Sequence, residues 1–380
     1  MRFVVSTIGT SILTNSIDRG NSAEGTLFGI LRDSANKTQD EITDDELGVI
    51  DELARRALEK LNNGDVETNR RSSAELNGIY GIYDGTLPNH SNDLHYLICT
   101  DTVQGQKTGQ LIQDFLHSKG FTVNIITPPQ LSTKDTQSFA AGTKELIKWL
   151  DETIPKPNTG YQVIFNLVGG FKSLQGYMQT FGSFYADETV YIFEGSSDLI
   201  KIPRLPIQID NTVIENHKTK FALMNAGKHY LINELEGIPE TLLESVKDGG
   251  NTYAWLSTWG ELVWNRTKSD LLSQGLLQFP RLAYQQSFIN DCNNLNGQQW
   301  TKLQETLAKV TAALENSNGD ISRLNNQVSG LNFEQLRNHN KICTFRVTQG
   351  DRVSCEISSN NGLTLRHYGS HEYVYSNLRI

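Results

Sequence analysis

Asn166-Leu-Val-Gly-Gly-Phe-Lys-Ser173 decides how the N-terminal half of this chain is read. An apolar run, Val163 to Val168, ends there in two glycines, a lysine and a serine, where a helical pattern begins. A strand that breaks into a Gly-Gly turn and re-enters as a helix suits an anion. Glycine lets the backbone approach closely, the N–H groups of the helix's first turn point at the ligand, and Lys172 adds a full positive charge. The same pattern also describes a plain strand–helix turn with a surface lysine. It is not the longer Gly-x-x-x-x-Gly-Lys-Ser/Thr phosphate loop.

Working outward, strands and helices alternate: strand His95–Cys99, helix Val103–His117, strand Thr122–Ile126, helix Lys134–Leu150, strand Val163–Val168, helix Lys172–Phe184, strand Thr189–Phe193. Such alternation predicts an α/β fold, a Rossmann-like parallel sheet with helices on both faces and ligands beyond the carboxyl ends of its strands. Three segments would meet on that rim. The first follows an opening strand at Phe3 and carries Thr7, Gly9, Thr10 and Ser11; the second is Thr100-Asp101-Thr102; the third holds Asn166, Gly169, Gly170, Lys172 and Ser173. Asp101 is suited to a ribose hydroxyl and equally to capping the helix from Val103. Gly9 stands alone where a dinucleotide site needs Gly-x-Gly-x-x-Gly, which argues against NAD. Hydroxyls, amides and one lysine suit binding better than chemistry.

The remainder sets bounds. A chain of 380 residues suggests two or three domains, and its 37% hydrophobic and 20% charged content is that of a soluble globular protein. The start, Met1-Arg-Phe-Val-Val, lacks signal-peptide features, so a cytoplasmic protein is expected. Cys99, Cys292, Cys343 and Cys355 are too few and too scattered for a disulfide framework or a Cys-x-x-Cys metal pair. Residues 15–90 read as a polar insertion with one clear helix, Asp44–Leu61. Net charge is −9, yet residues 281–380 hold ten Lys and Arg against eight Asp and Glu, a local +2.

Ile202-Pro-Arg-Leu-Pro-Ile207 marks an exit from the first domain. Residues 208–278 read as a helical linker, with helices at Thr241–Val246 and Trp255–Trp264, the tryptophans docking one domain on the other. From 279 to 380 an α+β domain is expected: helices over Leu282–Leu295 and Trp300–Leu314, then strands Cys343–Thr348, Arg352–Ser358 and Leu363–Tyr368, the last two joined through Asn361-Gly362.

Two resemblances sharpen this. Residues 1–207 resemble the CRISPR-associated Rossmann-fold sensors, the CARF domains, through Ser6-Thr-Ile-Gly-Thr-Ser11, Asn166–Ser173, and Phe193-Glu194 with Ile202-Pro-Arg-Leu-Pro206. The resemblance implies a homodimer that binds cyclic oligoadenylate, commonly cyclic tetra-adenylate, as an allosteric activator, with no other cofactor. It assigns ligand contacts to the first-strand loop and to Gly169, Gly170 and Lys172. Residues 279–380 resemble RelE-type ribonucleases through Arg346–Ile357 and Leu365–Tyr375. That resemblance implies metal-independent cleavage of mRNA, commonly on the ribosome, with Arg352 and Arg346 as phosphate-binding arginines, His371 as acid or base and Tyr375 as the terminal tyrosine. Ser370 stands where many members carry histidine or another basic residue.

The chemistry fits those residue types. Two arginines hold phosphorane charge, a histidine with an unperturbed pKa near ~6.5 moves protons, and a tyrosine stacks or donates. His367, four residues before His371, is expected on the same face, with His339 and Lys341 as further RNA contacts. Alternatives are a nucleotide-responsive regulator whose tail binds RNA or protein without cutting, and a sensor that degrades its own ligand through Thr10 or Ser11.

Overall fold

The computed structural model describes all residues except 19, 89–91, 133, 157, 194–197, 337–341, 360 and 379–380, together with the side chain at 23. Glu194, His339 and Lys341 lie outside the described residues. The chain is a mixed α/β protein in two compact units, Met1–Gln208 and Ile209–Ile380. Among the described residues no helix is long and apolar enough to cross a membrane.

The first unit is built on six strands, β1 (Arg2–Thr7), β2 (Leu94–Ile98), β3 (Thr122–Ile126), β4 (Gln162–Asn166), β5 (Glu188–Ile192) and β6 (Leu199–Pro203). Their order is β3-β2-β1-β4-β5-β6. All neighbours are parallel except β5 and β6. The chain builds outward from β1 through β2 and β3, then restarts on the other side of β1 with β4. The switch point of this Rossmann-like sheet lies between β1 and β4, where such sheets leave a crevice for ligands. Both central strands are apolar runs because both faces are covered: Val4, Val5, Ile164 and Phe165 are buried.

Residues 15–90 hold more helix than the pattern predicts. Besides α1 (Asp44–Asn63), opened by a Thr43–Glu46 capping box, they form Gly25–Asp33, Val66–Ser72 and α2 (Ala74–Ile82). Leu76, Ile79 and Tyr80 of α2 enter the same core as Val4 and Leu97, so this insertion is structural. The remaining helices, α3 (Val103–Ser118), α4 (Thr136–Thr153) and α5 (Lys172–Tyr185), fall where the periodicity places them. The proline segment differs. Ile202 and Pro203 complete an antiparallel edge strand before the chain leaves the sheet, an edge being where a residue without N–H is tolerated.

In the second unit α6 (Lys218–Asn225) precedes a small sheet of β7 (Tyr230–Leu231), β8 (Leu243–Asp248) and β9 (Asn251–Leu256). Helix α7 (Thr258–Leu272) then leads into β10 (Leu282–Tyr284), α8 (Gln286–Cys292) and α9 (Gly297–Asn316). The expected helix at Thr241–Val246 is a short 3-10 turn followed by β8, whose Val246 pairs with Tyr253. Trp255 lies on β9, while Trp259 and Trp264 lie on α7. Trp264 is buried within this unit's own core, stacked on Phe221. Residues 208–278 therefore hold strands as well as helices, and Phe221, Leu256 and Trp264 share one core with Leu303, Leu307, Phe345 and Val353.

The tail strands follow the sequence closely: β11 (Glu334–Gln335), β12 (Ile342–Arg346), β13 (Asp351–Ile357) and β14 (Leu363–Ser370) form a mixed sheet ordered β10-β14-β13-β12-β11. Its antiparallel members alternate apolar and polar residues. Phe345, Val353 and Tyr368 pack inward, leaving Arg346, Arg352 and His367 on the other face. A closing helix, α10 (His371–Ser376), replaces the edge strand that His-Glu-Tyr-Val-Tyr suggests. Ser370 caps it by accepting the Tyr373 N–H.

Candidate functional sites

The β1–β4 switch point joins the expected loops more tightly than sequence implies. Thr7, Gly9, Ser11, Asn166, Gly169 and Gly170 all meet around one side chain the motif reading missed, Glu75 at the start of α2. Its carboxylate is fully buried and accepts from the Gly9 N–H at 2.7 Å, the Ser11 hydroxyl at 3.1 Å and the Ser73 hydroxyl at 2.6 Å. A glutamate in the first turn of a helix is too ordinary to single out from sequence.

The glycines answer to this crowding. A Cβ on Gly169 would lie 2.1 Å from Glu75 Oε1, and one on Gly170, whose φ is +107°, would lie 2.7 Å from Thr7 Cβ. Thr7 donates to the Gly169 carbonyl, and Gln175 donates to the same oxygen at 3.0 Å. Asn166 is buried and donates to Ser6 Oγ and to the Glu75 carbonyl, both at 3.1 Å.

The expected contacts thus divide. Thr7, Asn166 and Gly169 are buried ties between loops, and the Gly9 N–H is taken by Glu75. Thr10 and Ser11 are half-buried, whereas Lys172 and Ser173 are exposed at the first turn of α5. Phe171, which precedes that turn, supplies no side-chain cap. The first-turn N–H groups of a 14-residue helix and the Lys172 ammonium are thereby offered to an anion.

Asp101 does not cap α3; Thr102 does, accepting the Gly105 N–H at 3.1 Å. Asp101 Oδ1 is buried and has no partner among the described residues, and burial pushes the carboxyl above its usual range.

In the second unit, Arg346 and Arg352 are cross-strand partners on one sheet face, as a two-arginine clamp requires. A second unforeseen carboxylate sits with them. Glu334 Oε1 lies 3.4 Å from the Arg352 guanidinium, accepts the Tyr375 hydroxyl at 3.0 Å, and lies 3.4 Å from Thr344 Oγ1. Arg346 donates at 3.0 Å to the Asn332 carbonyl in the amide orientation that satisfies both groups. His371 stacks on Tyr375, ring centroids 4.2 Å apart. His367 is held elsewhere, by Asp291 at 3.2 Å, with Tyr373 edge-on to its ring at 6.0 Å. Nothing in the sequence around Glu334 or Asp291 marks either residue.

Part of the switch-point geometry, though not β1 or the Thr7–Ser11 loop, lies within a stretch that matches a known family. Residues 70–205 match the family described as CRISPR-associated protein (Cas_APE2256). That region, which carries Glu75, Asp101, Asn166 and the Gly169–Ser173 turn on a Rossmann-like sheet, is similar to this CRISPR-associated family.

Proposed function

We propose that this is a ligand-gated ribonuclease of CRISPR defence in the cytoplasm. The first unit is a CARF-type sensor that pairs as a homodimer and binds cyclic oligoadenylate, preferentially the tetra-adenylate. The second is a RelE-type endoribonuclease that cuts mRNA on the ribosome without a metal. One observation carries the sensor reading. Loops from separate strands meet at the β1–β4 switch point beside an uncapped helix N-terminus that displays Lys172. A ring of phosphates is symmetric, so two copies of one anion site facing each other match it. The facing Arg346 and Arg352, with Tyr375 and His371 beside them, support the nuclease reading, because phosphate clamping and proton transfer are what metal-free RNA cleavage needs.

Gating requires the ring to prefer one arrangement of the dimer, otherwise no population moves. Calorimetric titration with rings of four and six adenylates tests the sensor, and a stoichiometry of one ring per two chains is expected. Translating ribosomes incubated with protein, with and without ring, test the output. Lys172→Ala should abolish the response to ring and keep basal cleavage, and Arg352→Ala should abolish cleavage and keep ring binding. Cleavage that survives Arg352→Ala overturns the nuclease assignment.

A non-cutting tail that binds RNA or protein has one feature in its favour: Glu334 already engages Arg352 and Tyr375, the groups meant for phosphate. Ring-dependent association with ribosomes while transcripts stay intact would select it.

A further inference from the structure

The face that carries Arg346 and Arg352 also carries a carboxylate–imidazole pair that neither motif spacing nor the family match assigns. Ser354 of β13 pairs with His367, and the next residue, Cys355, pairs with Leu365, so Arg366 is the extra residue of a β-bulge. A bulge breaks strict alternation and re-aims side chains. Arg366 bonds Glu356 at 2.8 Å, while His367 keeps to the side of Arg352, whose own partner on β14 is Gly369.

Asp291 of α8 fixes the imidazole. Its Oδ2 accepts the Tyr368 N–H at 3.0 Å and lies 3.2 Å from His367 Nδ1, and its Oδ1 accepts the Tyr373 hydroxyl at 2.6 Å. A carboxylate cannot donate, so Nδ1 carries a proton, and in the neutral ring the lone pair is on Nε2. A ring held in that tautomer on the sheet face that carries two arginines is a proton acceptor built in advance. His371, by contrast, stacks on the Tyr375 ring.

We propose that His367, oriented by Asp291, is the general base of the RNA cleavage assigned above, a proposal that rests on that nuclease reading. His367 Nε2 takes the proton of the ribose 2′-hydroxyl, O2′ forms a bond to the adjacent phosphorus, and the P–O5′ bond breaks. The leaving O5′ takes a proton from water, the hydroxide so formed takes the proton from His367 Nε2 and restores the base, and the products are a 2′,3′-cyclic phosphate and a 5′-hydroxyl. Arg352 and Arg346 hold the phosphorane charge. Asp291 is a positioning residue: it touches the ring and not the RNA. Among the described residues, the charged and titratable groups in contact with His367 are Asp291 from α8 and Tyr373 from α10, while Arg352, Glu356 and Arg366 belong to the neighbouring strand positions.

The test is the pH dependence of cleavage by the full-length protein on translating ribosomes with cyclic tetra-adenylate, over about pH 5 to 8, the range in which imidazoles titrate. Wild type should lose activity toward acid. His367→Gln should lose about 10²- to 10⁴-fold in rate together with that acid limb. Asp291→Asn, which keeps the shape but no longer fixes the Nδ1–H tautomer, should lower the rate by less than His367→Gln. Added imidazole should restore part of the rate to His367→Ala, which a purely structural histidine would not allow. If Arg352→Ala abolishes cleavage while His367→Gln cuts within twofold of wild type, the base assignment falls and the nuclease reading stands. Full-length protein that cuts no transcript under any of these conditions overturns both.

Discussion

Glu75 holds the Gly9 N–H at 2.7 Å from a carboxylate with no exposure to solvent, so the first-strand loop is locked to helix α2 from inside the rim. Three donors converge on that carboxylate, and an alanine would deprive the buried Gly9 N–H and Ser73 hydroxyl, and the half-buried Ser11 hydroxyl, of that acceptor. Each unpaired buried donor costs about 1–3 kcal/mol, so Glu75→Ala should destabilise the protein by on the order of 3 kcal/mol or more, and Glu75→Gln by less. Urea unfolding followed by tryptophan fluorescence and circular dichroism measures this. A change under about 1 kcal/mol, the size typical of a random substitution, would mean that the loop does not depend on the carboxylate.

Gly170 and Lys172, two residues apart, should fail in different ways. Gly170→Ala puts a Cβ 2.7 Å from Thr7 at a φ of +107°, a strain of about 1–3 kcal/mol. Lys172→Ala alters an exposed side chain and should shift stability by no more than about 0.5 kcal/mol. Thermal unfolding of the two variants beside ring titration separates them. A lysine variant that melts early would show that Lys172 serves the fold.

The sequence told most where a pattern repeats and least where a single side chain acts at a distance. Beta-alpha alternation from His95 to Phe193 places seven of the first unit's elements within a few residues, because period-2 and period-3.6 apolar patterns report burial directly. The segment Leu243–Leu256 misleads because its buried residues, Ala254 and Leu256, are too few to show a period, and β8 is an exposed edge. Glu75, Asp291 and Glu334 were not legible. Apart from Ser73, two positions from Glu75, each acts on partners between 10 and 82 positions away, through contacts that only the fold creates. The closest neighbours of the Gly-Gly turn are Thr7 and Glu75, so packing alone already demands glycine there.

Asp101 should show a trade between stability and binding. Its buried Oδ1 has no partner among the described residues, and burial raises its pKa, so the charged form is disfavoured in the fold at neutral pH. Asp101→Asn removes that charge and should leave the melting temperature unchanged or raised at pH 7. Ring affinity should fall about tenfold if the carboxylate takes a ribose hydroxyl, the value of one hydrogen bond to a charged group. A variant that binds the ring as wild type does would take Asp101 out of the site.

His95 should make the first unit acid-sensitive. Tyr83 donates to Asp93 at 2.9 Å, so the ring contributes its Nε2–H to Tyr83 at 3.0 Å, and Nδ1 is left buried with no partner among the described residues. Burial lowers the imidazole from its usual 6.5 to about 4. The unfolded chain binds a proton that the fold refuses between those two values. The stabilisation is complete above about pH 6.5 and declines as pH falls to about 4, by on the order of 3 kcal/mol. Unfolding free energies at pH 7 and pH 5 for wild type and His95→Phe check it. The variant should lose less on acidification, and equal losses would assign the sensitivity to other groups.

Glu334 should act as an internal competitor for RNA. One of its oxygens lies 3.4 Å from the Arg352 guanidinium and accepts the Tyr375 hydroxyl at 3.0 Å, the pair of donors a scissile phosphate would use. It belongs to a two-residue edge strand and its side chain is half exposed, so displacing it disturbs little of the core. Glu334→Ala frees one cation for phosphate. RNA affinity should rise several-fold at low salt, and the slope of log affinity against log salt should steepen by about 0.7, as one more phosphate contact on a single strand requires. Filter binding at a series of salt concentrations gives both quantities. An affinity that falls instead would mean the carboxylate holds Arg352 in its working position, since a guanidinium without that anchor loses more to side-chain freedom than it gains in access.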